Sequence, residues 1–148
     1  MVNNFLNKIE DELNEISAGA VIFRKNSRLQ FLLLHYPSGH LDFVKGKIEV
    51  NENPNQTTIR ETKEETGITD LDFVNGFEES VEYEFQYDGE LIHKKVIFFL
   101  AKTNAVEIKI SHEHLDFVWL EFKEALEKIT YRNARSVLSK ANQLLERL

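Results

Sequence analysis

The sequence has no cysteine. Disulfides, thiolate metal sites and a cysteine nucleophile are therefore excluded, and the chain suits a reducing compartment such as the cytoplasm. Proline (two residues) and glycine (six) are scarce, which leaves little material for long flexible linkers. Long apolar runs are missing as well. The longest, Phe31–Leu34 and Val96–Ala101, fall far short of the roughly 20 residues a membrane span needs. Met-Val-Asn-Asn at the start carries no basic segment followed by an apolar stretch, so no secretory signal is expected. Basic charge is also in deficit: 18 Lys and Arg against 25 Asp and Glu give a net charge of −7. Broad, non-specific nucleic-acid binding is thereby disfavoured. A phosphate substrate is not, because carboxylates can hold divalent cations that in turn meet phosphates.

What is present can build a sizeable core: 148 residues, 42% of them apolar, with eleven Phe. That is the size of one ordinary domain, expected to span 1–148 as a monomer. Phe5, Ile9, Leu13 and Ile16 recur at helical spacing, so residues 1–16 read as an N-terminal arm or short helix. Ser17–Arg24 and Leu29–Tyr36 read as a hairpin broken by Pro37-Ser38-Gly39. Asn53-Pro54-Asn55-Gln56 starts a helix and Gly67 stops it, giving a helix near Pro54 to Thr66. Asp72–Tyr87 and Leu91–Ala101 form a long hairpin about Asp88-Gly89-Glu90. Val106–Ile110 and Leu115–Leu120 read as shorter strands. Phe122–Ile129 and Arg132–Leu148 read as helices, the second burying Val137, Leu138, Ala141, Leu144, Leu145 and Leu148. Mixed strands with a central and two late helices indicate an α+β fold or an α/β/α sandwich.

In the central helix Glu61, Glu64 and Glu65 stand at i, i+3 and i+4 and so project to one side. Like charges this close repel, by a few tenths of a kcal/mol per pair where exposed and by more where buried. Alone, the cluster reads most simply as a solvated acidic face with Arg60–Glu64 as a helical pair. Its surroundings change that reading. Gly46-x5-Glu52-x7-Arg60-Glu61-Thr62-x-Glu64-Glu65-x-Gly67-Ile68 matches the Nudix hydrolase signature at every fixed position. Thr62, where the family carries an aliphatic residue, is the one departure.

The resemblance implies a Nudix-type α/β/α sandwich with a mixed sheet and a loop–helix–loop catalytic box. It implies Glu61, Glu64 and Glu65 as metal-binding carboxylates, for Mg²⁺ or Mn²⁺, and displacement at phosphorus by activated water. Arg60 would pair with Glu52 as a brace, and Gly46 and Gly67 would serve backbone turns.

From Gly19 to the last helix the chain also resembles the asymmetrically cleaving diadenosine tetraphosphate hydrolases. Gly19–Arg24, Phe31–Leu34, Lys45-Gly46, Gly76-Phe77, Ile110–His114 and Trp119-Leu120 carry that likeness. It implies a small-molecule nucleotide substrate, cut to a nucleoside triphosphate and a monophosphate. By that likeness His40, Lys45 and Lys94 contact phosphate, with Lys95 the alternative to Lys94. Tyr83 and Tyr131 would sandwich the base, a contact of about 1–3 kcal/mol. Glu113 would be a further metal-associated carboxylate and candidate general base. His112-Glu113-His114 lacks the helical spacing of a zinc motif, so its histidines read as structural. Other Nudix substrates (a nucleoside triphosphate, a nucleotide sugar, an RNA 5′ end) and a non-catalytic nucleotide-binding domain are the alternatives.

Overall fold

The computed structural model describes residues 15–111 and 116–148. Its strands are β1 (Glu15–Lys25), β2 (Leu29–His35), β3 (Leu41–Asp42), β4 (Val44–Lys47), β5 (Asp72–Tyr87), β6 (Glu90–Lys102) and β7 (Asp116–Leu120). Its helices are α1 (Pro54–Thr66), α2 (Phe122–Lys128) and α3 (Arg132–Glu146).

All the strands join one mixed sheet, parallel between β1 and β6 and antiparallel elsewhere. β1 and β2 pair only beside their connection, from Phe23↔Phe31 to Lys25↔Leu29. Beyond that point they splay apart. The chain leaving β2 folds back between them, β3 pairing with β2 and β4 with β1. Both pair on the inner edges, because the outer edges of β2 and β1 are taken by β7 and β6.

The period-two alternation of the strands sorts the apolar residues onto the two faces. Val21, Phe23, Phe31, Leu33, Phe98 and Leu100 pack under α2 and α3, against Ala125, Ile129, Val137 and Leu138. Ala20, Ile22, Leu32, Leu34 and Phe99 face the other way, with Val44 and Ile68. On that second side α1 packs against β1 and β4. Burying a Leu or Phe side chain in such a layer stabilises by about 1.5–3 kcal/mol.

Local chemistry explains α1. Asn53 and Gln56 form a reciprocal capping box, Gln56 N donating to Asn53 Oδ1 at 2.8 Å and Asn53 N to Gln56 Oε1 at 2.9 Å. Pro54 occupies the first turn, where no N–H is needed. Gly67 closes the helix at φ 77°, a left-handed conformation that favours glycine. The helix meets the sheet through Thr57, Thr58, Thr62 and Thr66, all fully buried, rather than through aliphatic residues. The Thr62 hydroxyl has no hydrogen-bond partner there.

Several expectations need correction. Glu15 and Ile16 belong to β1, so the arm cannot be helical through residue 16; residues 1–14 lie outside the described residues. Val106–Ile110 is not a strand, because its backbone is used on α1: Lys109 N donates to Thr66 O (2.9 Å) and Ser111 N to Glu65 O (3.1 Å). Its apolar alternation reflects Ala105, Ile108 and Ile110 packing on the sheet. Leu148 is exposed rather than on the buried face of α3, which ends at Glu146. β3 and β4 were not expected at all. No helix among the described residues is long and apolar enough to cross a membrane.

Candidate active site

The box segment is organised around Arg60. Its Nε donates to Glu52 Oε2 at 2.7 Å and its Nη2 to Glu52 Oε1 at 3.1 Å, a two-pronged contact across the loop. Nη2 also reaches the carbonyl of Lys47 at 3.0 Å, tying β4 to α1. Nη1 donates to Glu61 Oε1 (2.8 Å) and Glu64 Oε2 (3.2 Å). Glu52 accepts a further bond from Thr57 Oγ1 at 2.8 Å. The Arg60 bond first, then the backbone bond from Glu49, pull the Glu52 carboxyl down to about 2.

Burial of the three carboxylates is graded. Glu65 is buried, Glu61 largely so, and Glu64 exposed. Gly46 is not a turn glycine, contrary to expectation. It lies within β4 without a positive φ, and a Cβ there would stand 2.0 Å from Glu61 Cδ. Glycine is needed at this point because the Glu61 carboxylate occupies the space of its side chain. Among the described residues no three acids or histidines already converge as a metal cage. Arg60 engages Glu61 and Glu64. The donor set nonetheless fits a hard divalent cation, since it is made of carboxylate oxygens and Glu61 is cradled against bare backbone beside buried Glu65. Glu113, His112 and His114 lie outside the described residues.

On the opposite face of the sheet, next to α3, lies a cavity of about 680 Å³. Five residues nominated from the sequence line it: His40, Lys45, Tyr83, Lys94 and Tyr131. Lys95, one step along β6, is not among the lining residues. Tyr83 and Phe85 from β5 form one aromatic wall, their centroids 6.2 Å apart. Tyr36, His40 and Tyr131 form the other. The His40 ring stacks on Tyr36 at 4.8 Å with planes 5° apart and meets Tyr131 at 5.2 Å. Ser38 Oγ contacts His40 Nδ1 and fixes the ring.

The two cavity lysines are held differently. Lys45 Nζ is 2.7 Å from the Asp42 carboxylate, which is buried. Burial lowers its ammonium, but Asp42 and then Tyr83 outweigh this and hold it above the usual range. Lys94 has Glu15 at 3.9 Å, and Glu15 lies closer, at 3.0 Å, to Lys47. Burial first, then the Lys45 charge, push the Lys94 ammonium down. Burial likewise lowers His40 and raises Tyr83.

Tyr36 and Asp42 were missed by sequence reasoning, as were Phe85 and Arg132 on the cavity wall. Asp42 had a readable signal, an acid between Leu41 and Phe43 three residues before Lys45. Tyr36 packs against the apolar cluster on the α1 side of the sheet. It lines the cavity and donates to Phe43 O at 2.7 Å. Burial first, then the charges of Glu65, Asp42 and Glu61, lift its phenol well above its ordinary value.

A family model described as NUDIX domain matches residues 13–140. The asymmetrical bis(5′-nucleosyl)-tetraphosphatase of Mus musculus is 34% identical over 142 residues, covering 87% of this chain and 94% of that protein. That of Caenorhabditis elegans is 35% identical over 133 residues, covering 87% and 95%. The dihydroneopterin triphosphate diphosphatase of Haemophilus influenzae is 30% identical over 139 residues, covering 86% and 87%. Among solved structures, a binary complex of the C. elegans Ap4A hydrolase superposes with a TM-score of 0.81 at 34% identity, over 90% of this chain and 99% of the other.

Proposed function

The chain belongs to the Nudix family, and from that premise we propose that it hydrolyses dinucleoside tetraphosphates asymmetrically, giving a nucleoside triphosphate and a monophosphate. What carries this reading is the presence in one molecule of an aromatic-walled, lysine-bearing cavity and a carboxylate box, with Tyr36 lining the cavity and packing against the apolar cluster on the α1 side. One nucleobase lies between Tyr83 and Tyr131, which stack on it without demanding a particular base. Lys45, Lys94 and His40 take the phosphates that lead away from it. Glu61 and Glu65 hold a divalent cation with Glu64 beside them, and Arg60 braces the loop through Glu52. Mg²⁺ is the proposed ion and Mn²⁺ the alternative; when bound it supplies Lewis acidity toward water and the leaving phosphate. Glu113 is proposed as a further carboxylate of the site, which Glu113→Gln would test by a loss in kcat. A monomeric, cytoplasmic enzyme accompanies this reading, to be checked by sedimentation and cell fractionation.

The balance is one water consumed per P–O–P bridge broken, one phosphorus keeping the new oxygen and the other leaving with the bridge oxygen. The deciding experiment is chromatography of the products of diadenosine tetraphosphate cleaved in isotopically labelled water. Adenosine triphosphate and monophosphate, with label in only one of them, are expected; two diphosphates would sink the assignment. A second reading has one specific observation behind it, the similarity to the H. influenzae dihydroneopterin triphosphate diphosphatase. A flat pterin also suits two aromatic walls. Faster turnover of a pterin or nucleoside triphosphate than of the dinucleotide would favour it.

A further inference from the structure

We propose that Asp42 is a positioning residue of the cavity: pinned in the sheet beneath Lys45, it aims the lysine at the substrate's phosphates. This inference rests on reading the cavity as a polyphosphate site.

The geometry of Asp42 is that of a fixed post. It lies in β3, where the chain returns between the splayed β1 and β2, and its side chain is 3% exposed. One carboxylate oxygen, Oδ1, accepts the N–H of Phe43 at 2.7 Å, which fixes the plane of the group. The other, Oδ2, meets Lys45 Nζ at 2.7 Å. An ammonium has three donors and Asp42 takes one, so the lysine keeps donors for a phosphate. A flexible four-carbon stem would otherwise hold that charge in many rotamers and lose their entropy on binding.

Lys94 is the internal contrast. It lines the same cavity at similar burial, with a side chain 17% exposed against 15% for Lys45, but its counter-charge is 3.9 Å away and shared with Lys47. The cavity thus pairs one preset cation with one that substrate itself must order. Burying a carboxylate beside a polyphosphate opposes binding of that polyphosphate, so its presence calls for a compensating role. Holding Lys45 supplies it.

The test is a double-mutant cycle on KM for diadenosine tetraphosphate with Asp42→Asn, Lys45→Met and the double variant. Asp42→Asn keeps the shape and the bond from Phe43 N while removing the charge that holds Lys45. It is expected to raise KM about tenfold with kcat within about threefold. In the Lys45→Met background no lysine is left to hold, so the same change is expected to leave KM unchanged or to lower it. Equal effects of Asp42→Asn in both backgrounds, or a fall in KM on Asp42→Asn with Lys45 present, would overturn the proposal. The same cycle read by calorimetry with inorganic tripolyphosphate separates it from the functional reading. If the wild type fails to cleave the dinucleotide while the tripolyphosphate cycle still shows coupling, the substrate assignment fails and the role of Asp42 stands. Should Asp42→Asn fold poorly, Asp42→Glu provides the second arm. It restores the charge one methylene out of place, so recovery of KM well short of wild type is expected, and full recovery would show that position is immaterial.

Discussion

The carboxylate box is one continuous stretch of chain, from Gly46 to Ile68, whereas the cavity draws on β3, β4, β5, β6 and the start of α3. The box is held by hydrogen bonds that one guanidinium makes to a loop, to β4 and to its own helix. The cavity is held by where the sheet places residues distant in sequence. A site of the first kind is written in spacing, and its parts fail together. A site of the second kind is written in topology, and its parts can be altered one at a time. The two should therefore respond differently to substitution, the box in kcat and the cavity in KM.

The largest effect is expected at Glu65→Gln and Glu61→Gln. Each should lower kcat by about three orders of magnitude, the equivalent of several kcal/mol of lost charge stabilisation. Circular dichroism should show the fold intact, since glutamine keeps the side-chain shape and can still accept the Arg60 bond at position 61, while relieving like-charge repulsion on α1. A variant with near-normal kcat would end the assignment of the box. Next is Gly46→Ala, whose new methyl would occupy the place of the Glu61 carboxylate. A displaced ligand of this kind costs on the order of 10²-fold in rate, and KM should barely change. If Gly46→Ala moved KM instead, box and cavity would not be separable.

Cavity variants should show the converse. Tyr83→Ala or Tyr131→Ala should raise KM roughly 5- to 150-fold, the worth of one stacked base, with kcat little changed. Steady-state kinetics on each variant checks this, and equal losses in kcat would blur the division.

The smallest effect concerns stability. The Glu52 carboxyl is depressed to about 2 in the folded protein, below the ordinary 4.5. A depressed carboxyl stabilises the fold above its unfolded value and loses that contribution as pH falls toward the folded one. Between about pH 4.5 and 2 the wild type should lose stability more steeply than Glu52→Gln, as followed by thermal melts across that range.

The same division explains what could be read in advance. The limits of α1, its cap at Asn53 and its stop at Gly67 were legible because each signal acts within a few residues. The β5–β6 hairpin was legible from alternation and from Asp88-Gly89, both at positive φ as its tight turn requires. β3 and β4 were not. They are two and four residues long, and they become strands only because β1 and β2 part to receive them. Residues 106–110 misled for a related reason: an alternating pattern records burial on one side, but the partner here is the carboxyl end of a helix. Five cavity residues could be nominated by resemblance, yet nothing in the sequence showed that they share one hollow. Asp42 carried a local signal, an acid between two apolar residues three positions before Lys45, but only the fold shows that the two side chains meet.

β4 separates the two kinds of site by parity. Lys45 and Lys47, paired with Gly19 and Ser17, point to the cavity face, while Val44 and Gly46 point to α1. Heritable variation can thus reach the two functions through different residues of one short strand. Odd positions are open to changes in substrate preference, while even positions carry the catalytic constraint. Insertion or deletion of a single residue would exchange the two sets at a stroke. A change in the length of this strand would cost both functions together, where a substitution costs one.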